Sequence, residues 1–393
     1  MARAGSGRGG ARRARIGFFP VRGWGRAVVA ATYGGGMAAT ETPTPPVDVI
    51  VDWEFAARMA ARVGRPGPVV SPAEAAATVA ELRASALASQ GHVRRVTGLD
   101  APAGGGILVV DRAGWSRANV AAFRELLGPV VAEAYEKRGR PPGAGIGAVG
   151  ARVTGAEIGT LLGILSSRVL GQYDAFANPG RLLLVAPTIL AVEQELGVPS
   201  DDFRLWVCLH EETHRVQFTA TPWLADHLLG EVRTLISELM LEPSQLAERL
   251  AAVVRGLPDL LRGNGSGAPL LDALQTPAQR ERLAGVTAVM SLLEGHADVV
   301  MDDVGPDVVP SVAVIRRRFS RRRAGRGTVD QILRRLLGLD AKARQYADGA
   351  RFVRAVVDRV GMDGFNAVWS SPAALPKAVE IADPAAWVRR VHG

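Results

Sequence analysis

The pattern of apolar and polar positions predicts a mainly helical chain. Long alanine- and leucine-rich segments recur, and several begin at a capping residue followed by proline. There the side-chain oxygen accepts a hydrogen bond from a free backbone N–H. Proline occupies the first helical position, where the backbone N–H would have no partner within the helix. Two starts add a reciprocal partner three residues on, which completes a capping box. The starts are Ser71–Pro72, Thr221–Pro222, Thr276–Pro277, Ser371–Pro372 and Asp383–Pro384, and the partners are Glu74 and Gln279.

Two segments have the pattern of a strand. "GGILVVD" (105–111) and "GRLLLVAP" (180–187) are short, apolar and bounded by turn residues. The predicted fold class is therefore mainly α, of α+β type, with a small sheet. We interpret 180–187 either as an edge that aligns a peptide by β-augmentation or as a buried core strand.

A Pro/Gly-rich stretch at 138–151 is the best candidate for a domain boundary. It predicts a mainly helical N-terminal region at 37–150 and a second region at 151–393. In the second region, Gly155, Gly159 and Gly163 recur at helical spacing, which predicts a helix that meets a neighbour closely.

Composition narrows the class of protein. Apolar residues make up 48% of the 393 residues and charged residues 22%, as in a globular protein. No uninterrupted apolar run approaches the ~20 residues of a membrane-spanning helix, so no membrane partner is expected. The single cysteine, Cys208, excludes an internal disulfide and gives no sign of an oxidising compartment. We therefore expect a cytoplasmic protein.

The net charge of +8 comes mostly from the N-terminal tail. Residues 1–36 hold seven arginines and no acidic residue, and the rest of the chain carries 40 basic and 39 acidic residues. The tail is rich in glycine and lacks periodicity, which predicts either a disordered extension or a wrongly chosen start codon upstream of Met37. A twin-arginine export signal at Arg12–Arg13 is the alternative, although later arginines interrupt its apolar stretch.

The candidate chemistry lies in "VCLHEETHRVQF" (207–218). On a helix His210 and His214 project from one face, one turn apart, and both imidazoles can reach one zinc ion. Glu211 lies about 100° further round, where it can take a proton from a metal-bound water. The surrounding positions are apolar, and burying several ionisable groups is costly unless they are paired or bind metal. The pattern favours a metal site over two polar helix residues.

A catalytic zinc takes three protein ligands and keeps one position open. The third ligand should lie on another helix, and "VTAVMSLLEGHADVVMDDVGP" (286–306) is the strong candidate. Within it Glu294 and Asp298 are four apart and share a face, whereas His296 projects about 200° away from Glu294.

These two motifs resemble the gluzincin branch of zinc peptidases, in which HExxH is followed by ExxxD. The resemblance implies that Glu294 is the third ligand and that Asp298 orients a ligand histidine, His210. Glu294 lies 80 positions after His214, which exceeds the usual gap and implies inserted helices.

A longer pattern resembles a bacterial family of zincin-like metallopeptidases, and the likeness runs from about residue 47 to the C-terminus. Its members are described as hydrolases or zinc-dependent metalloproteases, and some are labelled as associated with deazaflavin coenzyme biosynthesis, which implies no reaction. The family implies a zincin-like helical catalytic core within 151–393. The segments that carry the likeness are "VDWEFAARMAARVGRPGP", "LHEETHRVQF", "LLEGHADVVMDDVG" and "KARQYADGARFV".

The predicted function is zinc-dependent hydrolysis of peptide bonds, with Zn²⁺ as cofactor and Glu211 as general base. Tyr346 is the first candidate to stabilise the oxyanion, with Tyr173 and His227 as alternatives. The alternative function is a zincin-fold protein without turnover that serves in binding or assembly.

The arginine run "IRRRFSRRRAGR" (315–326) raises the question of nucleic-acid binding. Only Phe319 is interleaved, so a stacking platform is missing. We interpret the run as a solvated helix face paired with acidic neighbours such as Asp302 and Asp303. The expected partner is a peptide or protein substrate and not a nucleic acid, and the sequence predicts no oligomeric state.

Overall fold

The computed structural model describes residues 46–100, 105–138, 144–240, 276–324 and 339–393. The start of the chain and the glycine-rich stretch at 262–269 lie outside the described residues. Most of the described chain is helical and three short strands form one sheet, so the predicted fold class is confirmed.

Thirteen α-helices and three strands follow one another along the described residues, with two 3-10 helices at Asn366–Trp369 and Pro372–Ala374. The elements are α1 (Pro46–Ile50), α2 (Trp53–Val63), α3 (Pro72–Thr97), β1 (Ile107–Val110), α4 (Arg112–Arg138), α5 (Ala144–Ser166), β2 (Gly171–Asp174), β3 (Arg181–Val185), α6 (Ala186–Leu196), α7 (Ser200–Thr219), α8 (Pro222–Met240), α9 (Pro277–Val304), α10 (Val312–Ala324), α11 (Leu339–Phe365), α12 (Ala378–Ala382) and α13 (Pro384–His392).

The capping pattern locates helix starts well. Ser71 forms a full capping box with Glu74 at α3, and Thr276 forms one with Gln279 at α9. The carboxylate of Asp383 accepts from the backbone N–H of Ala386 at α13. The start at Thr221 differs, because its buried hydroxyl has no hydrogen-bond partner among the described residues.

The sheet has the strand order β1-β3-β2, with β1 parallel and β2 antiparallel to β3. Both predicted strands are present, as β1 and β3, and β2 is a strand that sequence analysis did not predict. β3 is the central strand, and Leu182, Leu183 and Leu184 are each at most 1% exposed. The interpretation of 180–187 as a substrate-aligning edge is therefore wrong, and the alternative of a buried core strand is right. The outer strand beside α7 is β2.

The three glycines of α5 form a close helix contact, as their spacing predicted. A Cβ at Gly155, Gly159 or Gly163 would lie 2.4–2.8 Å from a carbonyl oxygen of Asp52, Ala56 or Ala60. The backbones of α5 and α2 therefore touch along this stripe. Because α5 begins at Ala144, the second half of the proposed linker at 138–151 is helical. The division into domains at residue 150 stays a prediction.

Two described helical segments are long and apolar enough to cross a membrane by length and composition: Ala148–Ser166 of α5 and Pro277–Val304 of α9. A core helix of a soluble protein passes the same test, so the finding is weak evidence for a span. Helix α9 is a core helix, because its residues belong to two hydrophobic cores. Its Val300 packs with α7 and β3, and its Leu292 packs with α8 and α11.

Candidate metal centre

Helix α7 holds the first motif inside the protein. Its residues Phe203, Val207, Cys208 and Leu209 are at most 1% exposed and pack into the core around the sheet. Of these, Cys208 and Leu209 project from the face opposite the two histidines, so their burial helps to set which face of the helix carries the histidines. The thiol of Cys208 belongs to that opposite face and is fully buried, as a core residue.

Helix α9 presents the second motif through an unusually close helix crossing. A Cβ at Gly295 would lie 2.2 Å from the carbonyl carbon of Gly349 in α11. A Cβ at Gly349 would lie 2.0 Å from the carbonyl oxygen of Ser291. Only glycine fits at both positions. Because Glu294 directly precedes Gly295, this crossing sets the depth at which its carboxylate meets α7.

The three predicted ligands come together. The Nε2 atoms of His210 and His214 are 3.2 Å apart, and their distances to the Glu294 carboxylate oxygens are 3.6 and 4.0 Å. One donor atom from each residue lies within 4.8 Å of the other two. Two nitrogens bound to a tetrahedral zinc at about 2.0–2.1 Å lie roughly 3.3–3.4 Å apart. The donor types and spacing therefore fit a zinc ion.

The second nitrogen of His214 meets a buried amide. Its Nδ1 is 2.9 Å from Oε1 of Gln217. The Nε2 of Gln217 is 2.9 Å from the carbonyl oxygen of Leu293 and 3.1 Å from Nδ1 of His296. Both Gln217 and His296 are fully buried. One residue of α7 thus connects a ligand histidine to the turn of α9 that carries Glu294.

The second nitrogen of His210 meets a thioether, since its Nδ1 is 3.3 Å from Sδ of Met301. Asp298, predicted to orient this histidine, lines the same pocket. One of its carboxylate oxygens is 3.7 Å from Nη2 of Arg316, which also donates to the Asp298 carbonyl oxygen. The orienting role of Asp298 stays a prediction.

Glu211 is buried beside the ligands. A Cβ at Gly171 would lie 2.6 Å from its Cγ, so a larger residue at the start of β2 would displace the Glu211 side chain. Burial, and then the Glu294 carboxylate, raise the pKa of Glu211 to about 8. In the metal-free protein this carboxyl group therefore takes up a proton near neutral pH.

A pocket of about 380 Å³ opens on this cluster. Its floor is polar, with His210, Glu211 and Glu294, and its walls combine apolar and cationic side chains. The remaining lining residues are Arg168, Val169, Leu170, Gly171, Trp206, Val207, Asp298, Met301, Arg316, Phe319 and Ser320.

The candidates for the oxyanion donor are placed differently. Tyr346 belongs to α11, one turn before Gly349, but its side chain lies outside the described residues. The Tyr173 ring packs on Phe218, 6.0 Å between centroids. His227 lines a different pocket, beside Trp223. The described lining of the pocket above the metal cluster includes neither Tyr173 nor His227, and the choice of Tyr346 stays a prediction.

Sequence analysis missed Gln217, Met301 and Gly171. Gln217 carried a usable signal, because it is a polar residue one turn beyond His214 within an apolar helix. Gly171 carried none, since its strand is short and its contact with Glu211 depends on tertiary packing. Met301 is seven residues after Glu294 on the same helical face, but a thioether in an apolar run is indistinguishable from core.

The fold and the metal cluster define a zincin-like protein. The chain belongs to the zincin-like metallopeptidase family, whose model matches residues 51–388. This confirms the family resemblance and indicates a hydrolase.

A crystal structure of "a putative hydrolase with a novel fold" from Chloroflexus aurantiacus is similar to this chain, with 33% identity and a TM-score of 0.59. The similarity covers 86% of this chain and 98% of that one. No curated protein matches the chain.

Proposed function

We propose that this protein is a zinc-dependent metallopeptidase, in which His210, His214 and Glu294 hold the metal and Glu211 is the general base. The observation that carries the proposal is the convergence of three donor atoms within 4.8 Å of one another, beside a pocket that His210, Glu294 and Glu211 line. Two imidazoles, one carboxylate and an open side form the usual donor set of a catalytic zinc.

Zinc bound there would lower the pKa of its water to about 7 and polarise a substrate carbonyl. Glu211 takes a proton from the attacking water onto its carboxylate and delivers it to the leaving amine. The position of Glu211 supports this exchange, because its side chain lines the same pocket as His210 and Glu294.

The outer strand β2 supports a peptide substrate. Among the described residues β2 pairs on one side only, with β3, and its first residue touches Glu211. An extended peptide added along the free edge by β-augmentation would pass the base and the metal ligands. Tyr346 is the proposed oxyanion donor, since the next turn of α11 packs on α9 beside Glu294.

A peptide or protein substrate is proposed in preference to a nucleic acid. Three arginines of α10 are engaged with protein groups: Arg316 with Asp302 at 2.9 Å, Arg322 with Glu195 at 2.7 Å, and Arg318 with two carbonyl oxygens at the end of α6. This supports the interpretation of the run as a solvated, ion-paired helix face.

Hydrolysis of a mixed peptide library tests the proposal. The wild-type protein, loaded with zinc, should cleave peptides, and phenanthroline should stop the cleavage. Glu211→Gln should bind zinc and fail to cleave. Zinc binding without cleavage by the wild type would instead indicate a zincin-fold protein used in binding or assembly, and absence of zinc binding would overturn both functions.

A further inference from the structure

We propose that Gln217 is a positioning residue, which fixes the tautomer and the ring orientation of His214, and that His296 holds Gln217 in place. The proposal rests on the proposed metal-binding function, and it names the groups that prepare one ligand before the ion arrives. It concerns hydrogen bonds within the chain, so it can also be tested without metal.

The orientation of the Gln217 amide follows from the backbone. The carbonyl oxygen of Leu293 can only accept, so the amide atom 2.9 Å from it is the NH₂ group. The amide oxygen therefore faces His214, at 2.9 Å from Nδ1. An oxygen there accepts a hydrogen bond, which requires the proton of His214 on Nδ1 and leaves its Nε2 bare. That Nε2 is the atom directed at His210 and Glu294.

The second amide hydrogen of Gln217 is directed at His296, whose Nδ1 is 3.1 Å away. A nitrogen that accepts there carries no proton, so His296 is neutral with its proton on Nε2. If Nδ1 of His296 carried a proton, its N–H would face the NH₂ group of Gln217, and two donors would oppose each other. The Gln217 amide would then have to rotate by 180°.

His296 is itself fixed by aromatic rings. Its centroid is 5.2 Å from that of Phe365 and 5.5 Å from that of Trp369, and the ring is fully buried. Both aromatic residues follow the second motif, which carries Glu294, by about 70 residues. The end of α11 and the 3-10 helix after it therefore support His296 directly, and through it the amide of Gln217.

The competing explanation is that Gln217 merely satisfies buried polar groups and contributes to stability alone. Zinc affinity separates the two, because partners that orient a ligand histidine affect affinity by about 10–100-fold. Gln217→Met keeps the length of the side chain and removes all its hydrogen bonds. Gln217→Glu keeps an acceptor for His214 in either protonation state. Thr213→Val is the matched control, since it removes a buried hydroxyl bonded to the Leu209 carbonyl oxygen on the same helix.

Zinc affinity of each purified variant is measured by competition with a chromophoric chelator, and the Tm of each metal-free protein is recorded beside it. We expect Gln217→Met to bind zinc about 10–100-fold more weakly, and Gln217→Glu to recover most of that loss. Thr213→Val should lower the metal-free Tm without a comparable loss of affinity. Equal affinity losses in Gln217→Met and Thr213→Val would overturn the proposal.

A second readout needs no metal. Long-range ¹H–¹⁵N spectra of the metal-free protein, with ¹⁵N-labelled histidine assigned by single substitutions, report the tautomer of each ring. We expect the proton of His214 on Nδ1 and that of His296 on Nε2. The opposite tautomer at His214 would refute the positioning role. A wild type that shows the expected tautomers and binds no zinc would refute only the proposed function.

Discussion

The two histidines of α7 are chemically identical and four residues apart, yet their supports differ. His214 is the more buried, 15% against 25% exposed, and its Nδ1 meets an amide oxygen held from both sides. The Nδ1 of His210 lies beside the sulfur of Met301, which is a weak acceptor. The inner ligand is thus held by hydrogen bonds within the protein core. The outer histidine, His210, lines the pocket together with Glu211.

The largest effect on zinc binding is expected when either imidazole is removed. His210→Ala and His214→Ala should each lose stoichiometric zinc, because two remaining donors do not hold the ion in a three-ligand site. Elemental analysis after dialysis measures the zinc content of each variant. Full zinc content in either variant would show that the ion is held elsewhere.

Removing the base should affect turnover and leave both histidines in place. We expect Glu211→Gln to lower kcat by about 10²–10⁴-fold, the usual contribution of a general base, with zinc content unchanged. Peptide hydrolysis measures kcat and elemental analysis measures the zinc content, both on the same preparation. Loss of zinc together with activity would mean that Glu211 is needed for the site to form.

The third ligand can be displaced without touching either histidine. In Gly295→Ala the new Cβ meets the α11 backbone, so the free energy of unfolding should fall by about 1–3 kcal/mol and zinc affinity should fall with it. Gly285→Ala on the same helix is the control, because nothing lies within 4 Å of its Cβ.

Urea unfolding of the two glycine variants measures the difference. The control should gain up to about 1 kcal/mol from the better helix propensity of alanine. If Gly295→Ala unfolds like the control, the crossing with Gly349 does not set the position of Glu294.

The smallest effect is expected at the outer histidine. Met301→Leu conserves volume, so its stability should change by less than about 1.5 kcal/mol. Zinc affinity should change less than in Gln217→Met, because a thioether contributes little as a hydrogen-bond acceptor to His210. Chelator competition on the two variants compares the supports directly, and a larger loss in Met301→Leu would reverse the assignment of the firmly held ligand.

Local chemistry made most of the helices and the convergence of the three proposed ligands predictable. Capping boxes at Ser71 and Thr276 form locally, so the sequence alone contains their signal. His210 and His214 share a face by helical geometry, and the resemblance supplied Glu294. These features depend on spacing within one element or on one known motif pair.

The remainder depends on contacts between distant segments. Strand β2 has four residues and pairs only because β3 lies beside it, and this also determines which strand is the edge. The amide of Gln217 has its role through Leu293 and His296, 76 and 79 residues later. No periodicity marks such pairs, so sequence analysis proposed the ligands and missed the contact between Gln217 and His214.

The central claim is that one zinc ion binds between α7 and α9, and an anomalous difference map at the zinc edge, from a crystal of the zinc-loaded protein, tests it most directly. We predict one strong peak at about 2.0–2.2 Å from Nε2 of His210, Nε2 of His214 and a carboxylate oxygen of Glu294. A peak away from these atoms, or none at full zinc loading, would contradict the account.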